Sequence, residues 1–282
     1  MDKILFIIPP HITFDDFINP FYNARMVQKK YGNYGSVSTE MPLGILSLSA
    51  YIKKYVAAET KLVDFNIVLN KLTSFDFGSF LEFFRDFFSA SGWADYTPSI
   101  IGISALFTPA YQSMLDIAQC CRDIFPNAVI VAGGGIPTNM PDEIFKHSAC
   151  FDALCYGEGE KPLLGLVMAA NKMQYLEENP SWMTQRKIKS GQSFKYDFIE
   201  NLDEIPFYDY DICEIKEYAL NPGITSYAHI NELIKVEDKK QNFHVITSRG
   251  CPFRCCFCAS HSVHGRKMRY HNLDRVREDL IR

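Results

Sequence analysis

The sequence predicts an α/β fold built on a doubly wound parallel sheet, and three observations predict it. Short apolar runs alternate with stretches of helical periodicity through the first two thirds of the chain, the pattern of a parallel sheet covered on both faces. Several of those runs end in proline or glycine, where a strand must turn into the next element. The composition also fits, because 47% of the 282 residues are hydrophobic and 22% charged, enough for a sizeable core.

In chain order, Lys3–Ile8 is an apolar run stopped by Pro9-Pro10 and reads as a buried parallel strand. Leu43–Val56 carries apolar residues at helical spacing, with Pro42 near its start. Lys61–Phe65 is a second strand. Phe80, Leu81, Phe83, Phe84, Phe87 and Phe88 form a helical aromatic stripe, which reads as core packing. Ser99–Leu106 is a third strand, followed by a helix near Pro109–Ile124. Ala128–Ala132 is a fourth strand that runs into Gly133-Gly134-Gly135, and Pro141–His147 is a short helix. Phe151–Tyr156 is a fifth strand ending in Gly157-Glu158-Gly159-Glu160, and Pro162–Tyr175 is the next helix. Five such strands point to a flavodoxin-like domain over residues 1–180. The aromatic segment Phe14–Tyr34 reads as a surface loop, with a lid as the sharper alternative.

The pattern changes beyond Tyr175. Arg186–Tyr196 reads as a polar hairpin around Ser190-Gly191, and Asn201–Asp211 as a linker, so residues 181–240 are assigned to hairpin and linker. Leu220–Lys240 is poorly periodic. Phe243–Ser248 reads as a new strand that leads into Gly250 and a cysteine cluster, and Asn272–Arg282 is helical in pattern. Residues 241–282 are therefore expected to begin a further domain.

Charge and hydropathy exclude several classes. A net charge of −4 argues against a dedicated nucleic-acid or anionic-membrane binder, although Arg266, Lys267 and Arg269 form a local basic patch. No apolar run approaches the length of a membrane span. The apolar start breaks at Pro9-Pro10 with no cleavage site behind it, so the expected location is the cytoplasm.

Four of the nine cysteines crowd into residues 251–258, which in a reducing compartment suggests metal rather than disulfides. The segment SRGCPFRCCFC spaces Cys251, Cys255 and Cys258 as CxxxCxxC. Three thiolates on one tight loop can each hold an iron of a 4Fe-4S cluster. Ordinary electron-transfer clusters take four protein thiolates. A site with three leaves one iron open to a small molecule, the logic of the open position on a catalytic zinc. Zinc with His261 or His264 as fourth ligand is the competing reading, and zinc sites usually pair two-residue spacings from separate loops. A fourth thiolate from Cys256 or Cys213 is a further alternative. Cys256 is adjacent to Cys255, and its plain reading is a small buried hydrophobe.

The cysteine loop resembles that of the radical S-adenosylmethionine (radical SAM) superfamily. PLGILSLSAYIKK, VAGGGIPTNMPDEIF, FDALCYGEGEKPLL, NLDEIPFYDYD and TSRGCPFRCCFC…HGRKMRY occur in this order. Together they resemble the group in which a cobalamin-binding-type domain precedes the radical (β/α) barrel. The resemblance covers nearly the whole chain. It implies that Cys251, Cys255 and Cys258 hold the cluster and that Phe257 lies against the adenine of S-adenosylmethionine. One electron from the cluster would cleave the sulfonium, giving a 5′-deoxyadenosyl radical for methylation, cyclisation or rearrangement of a small-molecule substrate. A one-electron reductant such as flavodoxin or ferredoxin is the implied partner.

In an open parallel sheet, ligands sit beyond the carboxyl ends of the strands. Leu106, Thr108, Gly133, Gly134, Gly135, Gly157 and Glu158 lie at those ends, and the resemblance makes them candidate cobalamin contacts. Their plain reading is tight strand-to-helix turns. No DxHxxG motif supplies a lower histidine, and the surroundings of His11 do not match one. Residues 251–282 hold about one strand–helix unit of a barrel that needs about six. The chain is therefore expected to be the front part of a larger enzyme. The alternatives are a corrinoid or small-ligand binding module without catalysis and a zinc-binding regulatory protein.

Overall fold

A computed structural model of the chain describes residues 1–20, 26–30, 32–37, 39–220 and 244–281. Its centre is a six-stranded sheet of β1 (Asp2–Ile8), β2 (Ala58–Asp64), β3 (Ile100–Ser104), β4 (Val129–Gly133), β5 (Ala153–Cys155) and β6 (Trp182–Met183). The spatial order is β2-β1-β3-β4-β5-β6. The first five strands are parallel, and the flavodoxin-like order 2-1-3-4-5 is the expected one.

The alternation of side chains along each strand divides the core into two layers. Leu5, Ile7, Ile101, Ile103, Ile130 and Leu154 face one side, where the helices Phe80–Ser89 and Tyr111–Ile124 cover them. Ile4, Phe6, Ile100, Val129, Val131 and Ala153 face the other, under Leu43–Tyr55 and Glu160–Met168. The aromatic stripe is core, as expected: Phe80, Phe83, Phe84 and Phe88 are buried, and Phe65 lies 4.5 Å from Phe84 between ring centres.

The structure corrects the sequence reading at several points. The sheet has six strands, not five. The sixth, β6, runs antiparallel to β5, pairing Leu154 with Met183 and Cys155 with Trp182. Two residues are too few to show a period-two pattern, so the strand had no sequence signal. The single helix expected over Pro162–Tyr175 is two, Glu160–Met168 and Lys172–Glu178. Asn171 opens the second, its side chain accepting from the Gln174 amide.

The hairpin expected over Arg186–Tyr196 is absent. Gln185–Lys189 is a short helix capped by Thr184, and the chain then runs on irregularly. Lys187 explains the misreading, because it looks like a surface residue in a polar stretch. Its side chain is instead buried and donates to the carbonyls of Leu176, Asn179 and Trp182 at 2.7–3.0 Å. Part of Phe14–Tyr34 is also core rather than loop. Phe14–Ile18 is helical, Met26–Lys29 pairs with Gly32–Gly35, and Phe17 and Tyr34 stack 5.2 Å apart beside Phe75.

Near the C-terminal end, β7 (Ser248–Arg249) and β8 (Arg269–Tyr270) form an antiparallel ribbon, and Leu273–Ile281 is a helix. The strand expected from Phe243 begins only at Ser248; His244–Thr247 are irregular, and Phe243 and Arg282 lie outside the described residues. So does nearly all of the poorly periodic stretch, residues 221–243.

Candidate functional site

A cavity of about 430 Å³ lies at the carboxyl ends of the parallel strands. Ile8 ends β1 there, Ser104 ends β3, Gly133 ends β4 and Cys155 ends β5. Such a crevice is where open α/β sheets take ligands. Leu43, Ile45, Leu48 and Leu163 supply one apolar wall from the helices packed beneath.

Of the residues singled out from the sequence, Leu106, Gly133, Gly134, Gly157 and Glu158 line this cavity; Thr108 and Gly135 do not. Thr108 opens an exposed 3-10 turn, and Gly135 is the first residue of the helix Gly135–Asn139. The glycines serve different purposes. Gly134 has φ +101°, and a Cβ there would stand 2.8 Å from the Ala105 carbonyl, so the turn out of β4 requires glycine. At Gly133 a Cβ would meet only Cys155 Cβ, at 3.7 Å. The space over Gly133 is thus a bare stretch of backbone that a large flat ligand could approach, which fits a corrin. The Cys155 thiol lines the same floor. Burial pushes its pKa up, so it stays protonated there.

Glu158 lines the cavity and is also tied to the C-terminal segment. Its carboxylate is buried and committed to side chains from beyond the sheet. Arg269 Nη1 donates to Oε2 at 2.9 Å and Arg269 Nη2 to Oε1 at 2.6 Å. His264 Nδ1 lies 2.8 Å from Oε1, and Arg249 Nη1 lies 3.4 Å from Oε2. Burial alone would raise the Glu158 pKa. The bonds from His264 and Arg269 and the charge of Arg249 outweigh it and hold the carboxyl down at about 2.

Glu160, two residues on, accepts from Arg249 Nη2 and from Ser47 Oγ, both at 2.7 Å. Arg249 Nε finds no hydrogen-bond partner among the described residues. The basic patch read from the sequence is therefore divided. Arg269 is 4% exposed and locked on Glu158, while Lys267 stays at the surface on Glu200.

Sequence reasoning missed Glu160, Arg249 and His264 as cavity residues. The two acids carried a signal in the Gly-Glu-Gly-Glu turn. The arginine and histidine carried none, because nothing local says that residues 249 and 264 fold back onto residue 158.

Arg249, Val263 and His264 line the cavity and flank the cysteine loop on both sides. The loop is therefore rooted in the cavity wall. Its start is tied by the Cys251 amide to the Gly265 carbonyl at 3.1 Å, and Arg266 Nη1 donates to the Phe253 carbonyl at 2.7 Å. Cys255 and Cys256 are exposed, and Cys251 and Cys258 are half-buried. Among the described residues no three histidine, cysteine or acidic side chains are gathered around a point that would hold a metal. Phe257 is 88% exposed. His264, one of the two histidines considered as a zinc ligand, has its Nδ1 on Glu158 instead. The three spaced cysteines share one short loop, with Cys255 exposed and Cys251 and Cys258 half-buried, and their side chains are not drawn to a common centre.

Comparison with known proteins agrees with this geometry. Residues 37–167 match the model of the B12 binding domain. An uncharacterized methyltransferase of Pyrococcus horikoshii is 26% identical over 278 residues, 99% of this chain and 50% of that protein. The anaerobic magnesium-protoporphyrin IX monomethyl ester cyclase of Rubrivivax gelatinosus is 29% identical over 173 residues, 57% of this chain and 27% of the cyclase. The hopanoid C-3 methylase of Methylococcus capsulatus is 23% identical over 189 residues, 66% of this chain and 33% of the methylase. The chain thus spans about half the length of the first of these relatives and less of the others. These matches bear out the chain's resemblance to the cobalamin-domain radical S-adenosylmethionine proteins. No helix among the described residues is long and apolar enough to cross a membrane.

Proposed function

We propose that this chain is the cobalamin-binding front portion of a radical S-adenosylmethionine enzyme that carries out a radical methylation, cyclisation or rearrangement. One observation carries the reading: the cavity at the carboxyl edge of a B12-binding-type sheet shares its wall with both flanks of a three-cysteine loop. Methyl transfer and ring closure are the reactions named for the relatives, and they support that range.

In this reading residues 1–180 form the cobalamin domain, 181–240 connect, and 241–282 begin the radical domain. Leu106, Gly133 and Gly134 cradle the corrin, with Gly133 giving it bare backbone. Glu158 leaves the set of cobalamin contacts, because its carboxylate is saturated by Arg269, His264 and Arg249. Thr108 and Gly135 leave it as well, since neither lines the cavity. Cys251, Cys255 and Cys258 ligate a 4Fe-4S cluster, and Phe257 covers the adenine. When bound, the cluster and S-adenosylmethionine supply the radical, and cobalamin supplies a carrier for a methyl group or an electron. The chain's own residues position these groups and shelter them. A cytoplasmic setting and a one-electron reductant such as flavodoxin or ferredoxin accompany the reading.

The test is anaerobic loading of the chain with iron and sulfide, followed by hydroxocobalamin and gel filtration. The expected result is brown protein that retains both iron and corrinoid. Cys255→Ala loses the iron and keeps the corrinoid, while Gly133→Trp loses the corrinoid and keeps the iron. Corrinoid retention without iron would favour a binding module. One zinc per chain with no iron would favour the zinc reading.

A further inference from the structure

The cysteine loop is closed by a ribbon that carries an electrostatic problem within itself. In the pairing of β7 with β8, Arg249 stands directly opposite Arg269. Like charges at directly opposed positions push strands apart. Here the guanidiniums are also buried, 8% and 4% exposed, where water screens them little. The ribbon has two residues on each side, too few hydrogen bonds to hold against that repulsion.

Glu158 resolves the problem from outside the ribbon. Its carboxylate reaches both arginines, Arg269 through two hydrogen bonds and Arg249 across 3.4 Å. It also meets His264, which ends the helix Ser260–His264 on the returning arm of the loop. Glu160 takes the other face of Arg249. Gly157 makes this approach possible: at φ +90°, a Cβ there would stand 3.1 Å from the Val263 carbonyl and 2.6 Å from the Tyr196 ring. Gly250 serves the same end on the ribbon, where a Cβ would run into the Lys267 carbonyl.

We propose that Glu158 is a positioning residue: the ribbon that closes the cysteine loop assembles only around its carboxylate, so the sheet domain templates the loop that carries the proposed cluster site. The functional weight of this inference rests on the cluster assignment above, but the physical claim does not. The Gly-Glu-Gly-Glu turn then acts as a clamp between the cavity and the loop, not as a ligand contact. Arg249 and His264 also line the cavity, so the clamp forms part of the cavity wall.

The experiment is hydrogen exchange on the chain without metal or corrinoid, which separates it from the cofactor reading. Glu158→Gln is expected to raise exchange in residues 248–270 by about tenfold or more, with β1 to β5 unchanged. Iodoacetamide labelling of Cys251 and Cys258 should quicken in parallel. The double variant Glu158→Gln/Arg269→Gln removes one of the two opposed charges together with their shared neutraliser, leaving Arg249 on Glu160. It is expected to return exchange to within about threefold of the wild type. A mere loss of packing would not be rescued by a second substitution. Unchanged exchange in Glu158→Gln would overturn the proposal. So would a double variant as open as the single one, or loss of protection spread through the whole sheet.

Discussion

The sheet domain and the C-terminal ribbon are held together by opposite means. In the sheet, five parallel strands present apolar side chains to both faces, and a cluster of aromatic rings packs with aliphatic side chains in one layer. Most ion pairs of that region lie at the surface, such as Arg85 with Asp123. In residues 248–281 few large apolar side chains are inside. Phe253, Phe257, Leu273, Leu280 and Ile281 are all exposed. What fixes this segment is charge: Glu158 and Glu160 on the arginines, and Asp203 on His271 and Asn272. The difference shows which part specifies itself. The sheet buries its own surface, whereas the ribbon borrows carboxylates from chain some 70 to 110 residues away.

The largest test of that contrast strikes the apolar side. Phe84 is fully buried and packs against Phe65, Phe80 and Phe83. Phe84→Ala removes a ring from a close-packed layer and should cost about 3–5 kcal/mol. Thermal or urea unfolding should show the loss as a lower midpoint for the whole cooperative unit. If the midpoint moved by less than about a degree, the aromatic layer would not be the source of the domain's stability.

Acid should break the other side first. Glu158 is held at about 2 against an ordinary 4.5. A depressed carboxyl stabilises the fold above its unfolded value and loses that contribution as pH falls toward the folded one. Arg249, Arg269 and His264 face it, so protonating Glu158 removes the negative charge that stands between the two arginines. The contribution at stake is on the order of 3 kcal/mol. Asp203 is also shifted down; burial would raise it, but the Asn272 amide and His271 outweigh that. In the sheet the sign reverses. Burial raises Asp64, so its contribution is present at low pH and is lost as pH rises. Short pepsin pulses between about pH 4.5 and 2 should therefore cut residues 248–281 before the sheet. Simultaneous cutting of both regions would erase the distinction.

The same contrast decides what was legible in the sequence. Periodicity reports burial, so the elements that bury their own surface could be read: the five parallel strands, the aromatic helix and the order of the sheet. Elements held by long-range polar contacts could not. Lys187 looked exposed and is buried, because the carbonyls of Leu176, Asn179 and Trp182, from the preceding helix, its cap and β6, satisfy its ammonium. Arg269 looked like part of a basic patch and is buried on Glu158. Glu158 looked like a ligand contact because it follows a glycine at a strand end, and that position alone does not say what the carboxylate meets. The cysteine spacing could be read because it lies within eight consecutive residues, 251–258.

The smallest expected effect completes the comparison from the sheet side. Arg85 and Asp123 join the helices Phe80–Ser89 and Tyr111–Ile124 at 3.2 Å, with side chains about half exposed. If stability there comes from apolar burial, the pair is nearly idle. Water screens it, and ordering two long side chains costs about what the attraction returns. Arg85→Ala should therefore shift stability by less than about 1 kcal/mol. Raising the salt to about 1 M should leave the wild-type midpoint close to that of the variant. Glu158 offers the matched control, since a charge removed from a buried cluster strands its partners. A large loss at Arg85 would mean that charge holds the sheet domain as well, and the division between a self-packing sheet and a borrowed ribbon would fall.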